Sequence, residues 1–222
     1  KPQTPPREDP IPGWQLSLRI LWSVGSDLAL AATFLITWYR PYNFGERMVH
    51  HLTFVMLVEF LVVHATGFYG AIGARDNSRL ERIGMFSILA FLYCLFAASF
   101  AAMYGGLWPV LAFLYLTIGK IPNTVLRPPN ADGQNVVIVN WAAMTTLYLF
   151  SLTFTLTYDI PPLGVTPEVI HAQGFTDGGE WPEHPYRVMA FGAVYFTGMA
   201  ILSLLTELIA WAAARRRAAN AT

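Results

Sequence analysis

Residues 49–73, VHHLTFVMLVEFLVVHATGFYGAIG, decide the fold. The stretch is long and apolar enough to cross a bilayer, which takes about 20 mostly apolar residues. It also carries Glu59 and His64 in its middle and His50 and His51 at its start. Ionisable groups at membrane depth are costly and are retained for a partner or a task. The stretch therefore reads as a spanning helix with a polar centre.

The rest of the chain has the same character. Of 222 residues, 55% are hydrophobic and 13% charged, where a soluble domain carries about 25% charged residues. The formal net charge is +0, so no basic field points to nucleic acid. Cys94 is the single cysteine and excludes an internal disulfide. The lysines are Lys1 and Lys120 alone, neither placed within a long apolar run, which speaks against a retinal-type Schiff base.

Working outward, apolar runs predict spans at about 14–39, 49–73, 84–104, 107–126, 136–158 and 186–214. Trp14, Trp38 and Tyr39 bracket the first as interface anchors, and Asp27 lies near its middle. The run 107–126 is interrupted by Pro109, Lys120 and Pro122 and reads as a short span or a re-entrant piece. Residues 1–13, with five prolines, read as an extended arm. Residues 159–185 form an acidic outer loop, and 215–222 a basic tail that opens on Arg215, Arg216 and Arg217.

Charge asymmetry sets the topology. With six spans and the N-terminus inside, the inner segments hold Lys1 and Arg7, then Arg75, Arg79 and Arg82, then Lys120 and Arg127, then the terminal arginines. The outer segments hold Arg40 and Arg47, an uncharged Gly105-Gly106 turn, and a loop at 159–185 without Lys or Arg. Cytoplasmic loops carry the excess of Lys and Arg. The expectation is an all-α integral membrane protein: a compact bundle of six transmembrane helices with cytoplasmic N- and C-termini, in a bacterial inner membrane.

Depth then sorts the polar residues. At about 1.5 Å per residue, Glu59 lies roughly 13 Å and His64 roughly 21 Å from His50 along the helix. Asp27 matches the level of Glu59, and Glu207 lies nearer that of His64. Two cross-helix pairs follow on depth, Asp27 with Glu59 and His64 with Glu207. Two carboxylates in a low dielectric share a proton or hold a cation. Glu59 and His64 themselves are about 140° apart around the helix and share no face.

A second constellation lies outside the membrane: His50 and His51, with His171 and His184 from the 159–185 loop. Imidazole and carboxylate suit zinc, copper or iron, although the spacing carries no metal signature. No Gly-x-Ser-x-Gly elbow, Walker loop or HExxH occurs. The leading expectation is a polar intramembrane core of Glu59 and His64, with Asp27 and Glu207, that handles a proton, ion or small ligand. The alternative is an accessory subunit of a larger membrane complex, binding partner helices or a second copy through Ala97 and Ala101 and holding a pigment, haem or metal. A metal-dependent membrane enzyme using the outer histidines is the weakest reading.

Overall fold

The computed structural model describes residues 13–74, 78–104, 107, 110, 111, 114, 131–175 and 179–220. The extended-arm reading up to residue 12, most of the span expected at 107–126, and the end of the basic tail lie outside the described residues, while Gly13, read as the last residue of the arm, opens a helix. Every regular element among them is a helix: α1 (Gly13–Tyr39), α2 (Met48–Ala74), α3 (Arg79–Tyr104), α4 (Ala131–Thr157), the short α5 (Pro167–Ala172) and α6 (Glu180–Glu183), and α7 (Pro185–Asn220). Four stretches are long and apolar enough to cross a membrane: Met48–Gly73, Arg79–Ser99, Gly133–Thr157 and Pro185–Ala213. In α1 the apolar stretch is the shorter Val24–Tyr39.

Helix ends follow local chemistry. α3 starts earlier than its apolar run because Ser78 and Glu81 form a reciprocal capping box. The Ser78 N–H donates to Glu81 Oε2 at 2.9 Å, and the Glu81 N–H donates to Ser78 Oγ at 3.3 Å. α7 opens on Pro185 and continues through Arg215 and Arg216. Arginine is a good helix former, so the basic run prolongs the helix instead of ending it. The Arg215 guanidinium lies 4.8 Å from the Trp211 ring centroid.

Contacts fix the helix directions. Tyr69 of α2 stacks on Phe86 of α3 at 4.5 Å, across a connection too short for anything but an antiparallel pair. In α4, Trp141 Nε1 donates to the Val63 carbonyl at 3.0 Å, and Tyr148 Oη donates to the Met56 carbonyl at 3.1 Å. The rising number on one helix meets a falling number on the other, so α4 is also antiparallel to α2. α3 and α4 therefore run the same way. α1 lies antiparallel against α7, with Phe34 stacked on Phe196 at 5.6 Å.

The ends of α1 and α4 and the starts of α2 and α7 gather at one face beneath residues 158–184, here termed the loop face. Val165 and Val169 are buried there, and Ile170, Phe175 and Trp181 pack on the same core. Trp38 Nε1 donates to the Pro161 carbonyl at 3.0 Å, and the Gly164 N–H donates to the Trp38 carbonyl at 3.0 Å. A Cβ at Gly164 would collide with the Tyr39 carbonyl, so only glycine fits. Arg187 ties the loop to the bundle: it pairs with Glu180 at 2.9 Å and donates to the Leu156 carbonyl at 3.2 Å. Gln173, 1% exposed, donates from Nε2 to the Glu46 carbonyl and accepts the His50 N–H at 3.5 Å. Its amide caps the start of α2 from 127 residues away.

Two hydrophobic cores result. The larger, toward the loop face, joins α1, α2, α4 and α7 through Phe34, Met56, Tyr148, Met189, Phe191 and Tyr195. The smaller joins α2 to α3 through Leu61, Ala65, Tyr69, Ile72, Phe86 and Ala97. Glycines let the helices approach: Trp141 sits over Gly67, Phe34 over Gly192 and Leu147 over Gly198. Without a hydrophobic force between helices in lipid, such close seats supply the packing energy. The far side of α3, with Ile88, Phe91, Leu92, Leu95 and Phe96, is exposed, as a lipid-facing surface is.

Gly67→Ala is expected to lower stability by about 1–3 kcal/mol through overpacking against Trp141, read as a lowered unfolding midpoint in detergent. Gln173→Leu removes both capping bonds, with an expected loss of about 1–3 kcal/mol. An unchanged midpoint in either variant would contradict the packing described.

Candidate functional site

Tyr195 of α7 donates its phenol proton to Glu59 Oε1 of α2 at 2.7 Å. Glu59 follows Met48 by eleven residues and Tyr195 follows Pro185 by ten, which places both about 15–17 Å from the loop-face ends of their helices. That is near the middle of a hydrocarbon layer about 30 Å thick. Tyr195 is fully buried and Tyr148 nearly so. The two rings meet edge-on at 5.4 Å, and Tyr148 packs against Phe191 in the same way at 4.8 Å. The phenols are thus held by aromatic packing, and the Tyr148 hydroxyl is directed to the Met56 carbonyl.

Asp27 completes the cluster from α1. Val24, Ala31 and Phe34 are buried, and the 24-27-31-34 spacing makes one helix stripe toward α7. Asp27 lies on that stripe, half-buried, and accepts a hydrogen bond from Ser203 Oγ at 3.5 Å. Ser203 lies eight residues beyond Tyr195 on α7, and the Tyr195 phenol is within electrostatic reach of both Glu59 and Asp27. The carboxylates expected to face each other thus accept from two different hydroxyls of α7, about 12 Å apart along the helix. Glu207, one turn beyond Ser203, is half-buried.

His64 is placed elsewhere. It is exposed and lies between Phe60 and Phe68 of its own helix, with ring centroids at 4.6 and 6.4 Å. The angle that separates it from Glu59 turns it away from α7, so the structure brings it to neither Glu59 nor Glu207. The outer histidines are not gathered either. His51 and His171 are exposed, His50 packs on Phe54 and Phe175, and His184 Nδ1 lies 3.4 Å from the Tyr186 hydroxyl. Among the described residues no three His, Cys, Asp or Glu side chains are close enough to hold a metal ion. The residue that reaches α2 from the loop is Gln173, not a histidine. The Ala97 and Ala101 face expected to receive partner helices is buried within the chain itself.

Outside the membrane stretches, Glu168 in the first turn of α5 is held below the ordinary carboxylate range. The Thr166 hydroxyl and its own backbone N–H both donate to it.

Sequence reading missed Tyr195, Tyr148, Ser203, Gln173 and Arg187. A tyrosine or serine inside an apolar run carries no mark of depth or facing. Only the position of Tyr195, level with Glu59 when both helices are measured from the same face, was available to find it. The assembled group is a set of exchangeable O–H and carboxyl groups inside an apolar bundle, suited to holding and passing a proton.

A double-mutant cycle of Tyr195→Phe and Glu59→Gln is expected to give a coupling of about 1–3 kcal/mol in unfolding measurements. A coupling near zero would contradict the hydrogen bond. Comparison with protein-family models, with curated proteins and with solved structures finds no match to this chain.

Proposed function

We propose that the chain is a six-span membrane protein whose Glu59–Tyr195 core, with Asp27 and Ser203, takes up and releases a proton in the membrane interior. The observation that carries this reading is the 2.7 Å phenol-to-carboxylate bond at mid-depth. In an apolar site, burial disfavours the charged carboxylate while a donor favours it, so a carboxyl group so placed can exchange between its two states. Ionisable groups within membrane spans are functional candidates by default. His64, on the opposite arc of α2, takes no part in this reading.

The six-span topology is supported by the parallel course of α3 and α4. An odd number of crossings must separate two parallel helices, and one crossing within residues 105–130 satisfies this. Arg79, Arg82, Arg215 and Arg216 then share the face opposite the loop, here termed the basic face, which supports its assignment to the cytoplasm.

The test is proton flux into liposomes containing the purified protein, driven by a pH gradient and read with an enclosed dye. Glu59→Gln is expected to reduce flux by about 100-fold or more, and Tyr195→Phe by about tenfold, each with folding intact. Unchanged flux in Glu59→Gln, or parent flux no greater than that of empty liposomes, would reject the reading.

A further inference from the structure

Packing around the cluster is unequal on its two sides. Toward the loop face, Phe34, Val49, Leu52, Val165, Met189 and Phe191 are at most 2% exposed and come from α1, α2, α7 and the loop. They form a closely packed layer beneath residues 158–175, in which the hydroxyl-bearing side chains of Thr37, Thr53, Ser151 and Thr155 are also at most 1% exposed. The hydroxyl of Thr53 within this layer donates to the Val49 carbonyl of its own helix, so it offers no path across.

Toward the basic face the layer ends. Among the described side chains, α1 has no buried residue before Val24, α4 none before Tyr148 and α7 none after Ala200. The core that remains on this side joins α2 to α3 with Val110 against it, and α4 packs on α2 there through Trp141 over Gly67 and Val137 beside Gly70. Among the described residues, the contacts of α7 with α4 reach as far as Leu147 on Gly198. Asp27, Ser203 and Glu207 lie where that packing gives out, each partly exposed, and Ser203 and Glu207 are one turn apart on α7. Partly exposed polar groups of this kind are ones that water can hydrogen-bond.

We propose that the Glu59–Tyr195 site communicates with water on the basic face alone, through Asp27, Ser203 and Glu207, and is sealed from the loop face by the packed layer around Phe34 and Phe191. This rests on the proton-handling reading, and adds to it the side of exchange and two further residues. Ser203 and Glu207 are positioning residues that keep a hydrated path to the carboxylates. In this arrangement the carboxylates exchange protons with the basic face, and the transmembrane flux expected above requires the loop-face layer to open transiently.

The test is cysteine accessibility in sealed vesicles of both orientations, with Cys94 replaced by serine. Single cysteines are introduced as Ser203→Cys, Glu207→Cys, Thr37→Cys and Thr53→Cys. Two exposed positions, Arg216→Cys and Ala172→Cys, report the basic and loop faces. A membrane-impermeant methanethiosulfonate is the probe; it reacts with the thiolate, which forms where water reaches. Ser203→Cys and Glu207→Cys are expected to react from the side that labels Arg216→Cys. Thr37→Cys and Thr53→Cys are expected to react at least about tenfold more slowly from either side. Labelling of Thr37→Cys or Thr53→Cys at the rate of Ser203→Cys from the loop face would overturn the proposal, as would a Ser203→Cys inert from both sides. Flux is measured on separate Cys94→Ser vesicles. One-sided labelling without flux would remove the proton reading while upholding the access, and flux with labelling from both faces would do the reverse.

Discussion

A carboxyl group in the middle of an apolar bundle needs a donor, and the Tyr195 phenol at 2.7 Å supplies it for Glu59. That requirement sets the rotation of α2 about its own axis. At about 100° per residue, turning Glu59 to α7 places Val63, Gly67 and Gly70 within about 20–80° of it, where α4 packs. The same rotation places Leu61, Ala65, Tyr69 and Ile72 at about 200–280°, where α3 packs, and leaves His64 on the arc between. Three of the neighbours of α2 are thus arranged around one polar contact. A helix that is apolar on all sides carries no other mark of which face should meet which partner.

The apolar runs and the mid-depth carboxylates were legible in the sequence because hydrophobicity and helical rise are one-dimensional quantities. Glu59 and Asp27 could be assigned a level before any contact was known. Facing was not legible. His64 was placed at membrane depth like Glu59, and packing shows that it lies between Phe60 and Phe68 at the surface of the bundle. The loop was misread at its histidines for a related reason. Metal chemistry draws attention to imidazole, whereas the side chain that binds α2 is an amide, Gln173, in an unremarkable context. The start of α3 was misplaced because the apolar pattern outweighed the Ser78 and Glu81 capping signal a few residues earlier.

The closest packing lies in the half of the bundle nearer the loop face. Gly192 beneath Phe34 and Gly164 against Tyr39 bring backbone and side chain into contact near the loop face. In that half the helices can move only by separating a dense core, and dense cores resist small displacements. Among the described residues, such contacts between α7 and α4 reach as far as Leu147 on Gly198, and no described side chain of α7 beyond Ala200 is buried. Local packing density governs how readily a segment opens, so the lower half of α7 has the greater freedom, and the carboxylates lie at the boundary between the two regimes.

The cap that Gln173 places on α2 has a consequence for assembly. The first turn of α2 is completed by a residue made 127 positions later. A chain that emerges from the ribosome in order inserts α2 with its opening amides and the Glu46 carbonyl turned to interfacial water. These groups exchange water for the glutamine amide only when the last third of the protein is in place. Contacts so distant in sequence form late, after the entropy of closing the intervening chain has been met. The loop face is therefore the last part of the bundle to become rigid, and a nascent chain stopped short of Gln173 holds α2 with its loop-face end still unclosed.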